Sequence, residues 1–142
     1  MLYFDTSFLA PLILEESTSP AVERFLAKLP SEALAISHWT RVEFSSQLAR
    51  EVRMGGMAPS LAQEADDQFE AIVAESFLVL TPTVDDYELA KRYLAAPGIG
   101  LRAGDALHLA IAHNHRAEAI YSFDKTLLAA GKTLGLPVSA GV

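Results

Sequence analysis

An α/β fold, with a parallel central sheet of about five short strands flanked by helices in three layers, follows from three features of the sequence. Short runs that are apolar throughout recur at residues 2–4, 33–36, 77–80, 119–122 and 136–138, the pattern of strands covered on both faces. The longer segments between them place apolar residues at helical spacing. Apolar residues make up 51% of the chain and charged residues 20%, which suits a packed core and argues against disorder.

Residues 2–4 read as a buried strand that ends at Asp5-Thr-Ser, with a helix following through Leu14. Thr18 to Pro20 opens a second helix, which aligns Val22, Phe25, Leu26 and Leu29 on one face. After the strand at 33–36, Ser37 or Thr40 starts a long helix carrying Val42, Phe44, Leu48 and Val52, broken at Met54-Gly-Gly-Met57. Pro59-Ser60 begins another helix, running to Glu75. Beyond the strand at 77–80, Thr83 caps a helix through Leu94, and Pro97-Gly-Ile-Gly100 is a loop. A helix rich in alanine and leucine spans 103–113, and the strand at 119–122 leads to a short helix starting at Asp124. Residues 136–138 supply the last strand.

A length of 142 residues, without internal repeat or linker, predicts one domain over 1–142. The absence of cysteine excludes disulfides, thiolate metal sites and cysteine nucleophiles. The apolar N-terminus has no cationic n-region and carries Asp5, so it is not read as a signal peptide. The run from Phe8 to Leu14 is interrupted by Pro11 and too short to span a bilayer, so no membrane is expected and a soluble, cytoplasmic protein is. The net charge of −7 weighs against a basic nucleic-acid footprint, but it is a weak guide for a small chain that gathers acids in one place.

Four acids carry the chemistry: Asp5, Glu43, Asp105 and Asp124. They occur as Leu-Tyr-Phe-Asp5-Thr-Ser, Thr-Arg-Val-Glu43-Phe, Ala-Gly-Asp105-Ala-Leu and Ile-Tyr-Ser-Phe-Asp124-Lys, each where an apolar segment ends or a helix begins. Ligands of open parallel sheets bind outside the carboxyl ends of the strands. Asp5 and Asp124 follow two such ends, and Glu43 and Asp105 start helices that lean over the same edge. Each acid taken alone is a good cap or first-turn residue: Asp5 and Asp124 as N-caps, Asp105 against the helix dipole, Glu43 in a Thr40-x-x-Glu43 capping box. Together they repel, by about 4 kcal/mol per pair at about 4 Å and an effective dielectric near 20, and a fold that converges them calls for a divalent cation. Oxygen-only ligands favour magnesium or manganese over zinc. His38, His108, His113 and His115 form no His-x-x-x-His ligand pair and are read as structural, although His108, three residues after Asp105, reaches the same face. Ser7 and Thr6 cap the first helix or hold a water on the metal. Trp39 reads as core or interface.

In their order and spacing these motifs resemble the PIN-domain ribonucleases, specifically VapC-type toxins of toxin–antitoxin pairs. The resemblance runs from Phe4-Asp5-Thr-Ser through Arg-Val-Glu43 and Gly-Asp105-Ala-Leu-His-Leu-Ala to Ser122-Phe-Asp124-Lys-Thr-Leu. It implies a PIN-like fold, endonucleolytic cleavage of RNA at a carboxylate-bound magnesium or manganese site, a homodimer, and a separately encoded antitoxin that blocks the site. On this reading Asp5 and Asp105 bind metal directly, and Glu43 and Asp124 bind it directly or through water. Ser7 orients a water, and Arg41 or Lys125 steadies the phosphate. One or two ions satisfy the pattern equally.

Two other α/β classes are set aside on single residues. A phosphoaspartyl enzyme of the haloacid dehalogenase type needs an acid two residues after its first, where this chain has Ser7; a receiver domain needs an acidic pair after its first strand. The remaining alternative is a PIN module that binds RNA or protein without cutting.

Overall fold

Five strands, β1 (Leu2–Phe4), β2 (Leu34–Ser37), β3 (Leu78–Leu80), β4 (Ala119–Tyr121) and β5 (Val138–Ser139), form one sheet in the order β3-β2-β1-β4-β5. Every pairing is parallel, with Leu2 opposite Leu34 on one side and Ala119 on the other. The structure is a computed structural model covering residues 1–142. Seven helices complete it: α1 (Thr6–Leu9), α2 (Ser19–Leu26), α3 (His38–Arg53), α4 (Pro59–Ser76), α5 (Val84–Ala95), α6 (Ala103–Asn114) and α7 (Lys125–Thr133).

Alternate side chains of the central strands feed two cores. Phe4, Leu34 and Ile36 pack with Phe8 of α1, Val22 of α2, Phe44 and Leu48 of α3, and Phe69 and Val73 of α4. Tyr3, Ala35 and Ile120 face the opposite layer, against Leu89 of α5, Leu107 and Leu109 to Ala112 of α6, and Leu127 of α7. Each large apolar side chain so buried contributes about 1.5–3 kcal/mol, which fixes both helical layers on the sheet. The predicted architecture is the observed one.

Three boundaries are settled by local contacts, two of them away from the sequence expectation and one between its alternatives, Ser37 and Thr40. The first helix ends at Leu9 and passes into a 3-10 turn at Ala10–Leu12, because Pro11 has no N–H to give the carbonyl four residues back. The long helix α3 is capped by Ser37, not Thr40: Ser37 Oγ accepts from Thr40 N at 3.4 Å, and Thr40 Oγ1 accepts from Ser37 N at 3.3 Å. Glu43 is thereby released from the capping box it was expected to close. The last strand starts at Val138 because Leu136 N instead donates to Gly131 O at 2.8 Å, closing α7 around Gly135 at φ +74°.

The direction in which the chain winds across the sheet reverses between β1 and β4. From β1 the chain winds outward through β2 and β3, then returns to the other side of β1 for β4 and β5. The helices leaving such a pair of strands diverge and leave a crevice at their carboxyl ends. Asp5 closes the end of β1 there, its N–H donating to Tyr121 O on β4 at 3.1 Å.

Candidate active site

A cavity of about 420 Å³ opens at this reversal, and Asp5, Glu43, Asp105 and Asp124 all line it. The four acids come from four elements: the end of β1, the second turn of α3, the first turn of α6 and the N-cap of α7. Twelve residues line the cavity, and Trp39 is the one hydrophobic side chain among them, so the site is built for a polar ligand.

Asp5 forms the floor. It is 3% exposed, and its oxygens accept from Ser7 Oγ at 2.8 Å, Phe8 N at 3.0 Å and Ser122 Oγ at 2.6 Å. Burial pushes its carboxyl above the ordinary aspartate range, against the opposing pull of His108, Ser122, Ser7 and the Phe8 N–H. The cap expected of Asp5 and its place in the cavity therefore coexist. The same holds for Asp124, whose Oδ1 caps α7 by accepting from Thr126 N and Leu127 N at 2.8 and 2.9 Å. Its other oxygen faces Arg102 Nη2 at 3.7 Å.

Asp105 is the least satisfied of the set. Burial, then repulsion from Asp124 and, more weakly, from Glu43, raises its carboxyl to about 6, while His108 and Arg102 pull the other way. Its Oδ2 is buried and accepts no hydrogen bond; Arg102 Nε, at 4.0 Å, interacts with it through charge alone. Glu43 has the opposite balance. Burial would raise its carboxyl, but His108, Thr6 and Trp39 outweigh this and hold it below the ordinary glutamate range. Thr6 Oγ1 donates to Glu43 Oε1 at 2.7 Å, and His108 Nε2 contacts the same oxygen. The Trp39 indole N–H contributes least of the three and completes no hydrogen bond within range.

Close approach of α6 to α3 depends on Gly104. A Cβ there would stand 2.7 Å from Glu43 Oε2 and 3.3 Å from Trp39 Cζ2, so a larger residue would push the Glu43 carboxylate from its present place on the cavity wall.

The remaining expectations are redistributed. Arg41 lies outside the cavity, with Nε donating to the Glu70 carboxylate at 2.9 and 3.0 Å, and Lys125 is exposed on the first turn of α7 beyond the lining. Arg50 and Arg102 are the cations that line it. Helical phase explains why Arg50 lines it and Arg41 does not: Trp39, Glu43, Gln47 and Arg50 fall on one stripe of α3, whereas Arg41 is about 200° around the helix from Glu43. Ser7 does line the cavity, but its hydroxyl hydrogen goes to Asp5 and its oxygen accepts from Phe123 N at 2.9 Å. His108 is the residue the sequence reading undervalued, since it is buried between Glu43 and Tyr3.

These donors fit a hard divalent cation: oxygen ligands only, and an orphaned buried oxygen on Asp105. No three histidine or acidic side chains stand in ligating range of one point. A cation held here would take much of its coordination sphere from water and substrate.

Residues 2–132 match the PIN domain family. Among solved structures, VapC20 of Mycobacterium tuberculosis, described as a Sarcin-Ricin loop cleaving toxin, superposes with a TM-score of 0.70 at 23% identity, over 92% of this chain and 95% of its own. FitAcB from Neisseria gonorrhoeae reaches 0.73 at 19% identity, over 99% and 98%. VapBC-1 from nontypeable Haemophilus influenzae reaches 0.68 at 18% identity, over 99% and 98%. At these identities the likeness is one of fold. No curated protein matches the chain in sequence.

Proposed function

The chain belongs to the PIN domain family, and from that premise we propose that it is a metal-dependent endoribonuclease, the toxin of a type II toxin–antitoxin pair. The observation that carries this reading is the meeting of four carboxylates from four elements in one cavity at the sheet's reversal, with Arg50 and Arg102 beside them. Asp5 and Asp105 would hold the cation, with Glu43 and Asp124 ligating directly or through water. Magnesium, or manganese in its place, supplies charge for the phosphate oxygens and acidity for water when bound.

The chain's own groups do the rest. Asp5 is held from three sides, by Ser7, the Phe8 N–H and Ser122, so the carboxylate it would offer a cation is fixed in place. Arg102 is 80% exposed and lies against Asp105 and Asp124; it and Arg50, the two cations lining the cavity, would bind phosphates of the RNA. Ser7 fixes Asp5 instead of touching substrate.

RNA as substrate is supported by the family and by the likeness to VapC20, a Sarcin-Ricin loop cleaving toxin. The antitoxin partner is supported by neighbours that are toxin–antitoxin complexes. Residues 1–142 act as a single domain, in the cytoplasm, where RNA and antitoxin are found. Val42 and Leu61, exposed on α3 and α4, would contribute to the apolar surface of a homodimer. No helix is long and apolar enough to cross a membrane.

Cellular RNA incubated with the purified protein should be cut at discrete sites in magnesium or manganese, and left intact in chelator or by Asp105→Asn. Cleavage undiminished in chelator would remove the metal from the mechanism. Binding of RNA with no cleavage under any divalent ion would leave the non-catalytic module as the function.

A further inference from the structure

Behind the carboxylate cavity runs a buried hydrogen-bonded chain that joins β1, β2, α6 and α3. Tyr3 donates its hydroxyl hydrogen to Ser37 Oγ at 2.9 Å, and its oxygen lies 2.8 Å from His108 Nδ1. With that hydrogen committed to Ser37, the tyrosine oxygen is left to accept, so Nδ1 carries the hydrogen between them. The other ring nitrogen, Nε2, meets Glu43 Oε1, which also accepts from Thr6. Tyr3 and Ser37 have no exposed surface and His108 has 1%. The imidazole therefore has one orientation available.

Glu43 inherits that constraint. Its Oε1 is occupied from two sides, while Oε2 is the oxygen turned towards Gly104 at the cavity wall. We infer that His108 is a positioning residue: anchored by Tyr3, it grips Glu43 Oε1 so that Glu43 presents Oε2 alone to whatever occupies the cavity. The inference rests on the reading of that cavity as a divalent-cation site. A glutamate side chain has three rotatable torsions, and without the imidazole only the Thr6 hydroxyl would hold this one over the cavity. Outer partners that orient a ligand in this way are typically worth 10–100-fold in metal affinity or activity. An imidazole that acted only through its positive charge would have the reverse effect, since its removal leaves a more negative cluster and a tighter cation.

Manganese binding without RNA, followed by the resonance of the free ion, separates these cases. Wild type is compared with His108→Gln, Tyr3→Phe, Glu43→Gln and the His108→Gln/Glu43→Gln double variant. The dissociation constant should rise about tenfold in His108→Gln and by a smaller factor in Tyr3→Phe. The double variant should be no weaker than Glu43→Gln alone, because His108 acts through Glu43. With RNA present, kcat should fall in His108→Gln while KM stays the same. Leu89→Ala, a core change on α5, should lower the melting temperature and leave manganese binding unchanged, which a merely structural role for His108 would not distinguish from His108→Gln. Additive losses in the double variant, tighter binding in His108→Gln, or wild-type binding in both His108→Gln and Tyr3→Phe would each overturn the inference. If His108→Gln fails to fold, Tyr3→Phe, which keeps the ring, decides through its own cycle with Glu43→Gln. A wild type that binds no manganese would defeat the cation-site reading itself, and the inference with it, before any variant is compared.

Discussion

Asp105 pays an electrostatic penalty that should be visible in stability. Its folded carboxyl sits at about 6, above the ordinary value of 3.8. Folding therefore takes up a proton between those two values, and the contribution of this group to stability falls as pH rises through them, levelling off above about 6. Asparagine at this position escapes the penalty. Metal-free Asp105→Asn should melt above metal-free wild type at pH 7.5, by on the order of 1 kcal/mol once solvent screening is allowed for. The gain should vanish at pH 4, where the wild-type carboxyl is itself protonated. Thermal melts in chelator at the two pH values check this. An equal difference at both would mean that the effect is not the carboxylate charge.

The pairing of α5 with α6 depends on a second buried acid, away from the cavity. Asp86 is fully buried; its Oδ2 accepts from Thr83 N and its Oδ1 from Asn114 Nδ2, both at 2.8 Å. One carboxylate thus starts α5 and ties down the end of α6. Asp86→Ala would strand two donors and should cost about 3 kcal/mol. Denaturant unfolding should show that loss. Manganese affinity should stay at the wild-type value, because Asn114 lies at the far end of α6 from Asp105. A parallel loss of manganese binding would show that the cavity depends on the distant end of the helix.

A folded protein with four carboxylates in one cavity is poised to gain stability from a cation. Binding to the folded state alone stabilises by about 2.7 kcal/mol at one hundred times the dissociation constant. The melting temperature should climb with the logarithm of manganese concentration and return on chelation, whereas in Asp105→Asn the climb should be largely lost. Calcium, larger and looser in its coordination, provides a comparison for how closely the cavity selects. A flat melting curve across millimolar manganese would count against a built cation site. The acidic excess is compatible with an anionic substrate under these conditions: the overall charge is −7, but a bound divalent cation and the two arginines would offset the four carboxylates where a phosphate would lie.

Much of this protein is written locally. Apolar runs buried on both faces specify a parallel sheet, strand ends in such sheets specify where ligands go, and Asp5, Glu43, Asp105 and Asp124 could be assigned to that edge from position alone. Asp5 and Asp124 were also legible as caps, and both serve as caps. Helical phase could have separated Arg50 from Arg41, because it needs only the period of α3. What the tertiary structure decided is who meets whom across the fold. His108 shares a face with Asp105 through local spacing, but its partners Tyr3 and Glu43 lie 105 and 65 positions away in the chain. Glu43 is free to face the cavity only because Ser37, not Thr40, caps its helix, a choice settled by where β2 ends against β1 and β3. Sequence periodicity places a side chain on a face of its own element. The rotation and separation of two elements depend on packing between layers, and here on the missing Cβ of Gly104, which leaves the Glu43 carboxylate its place on the cavity wall.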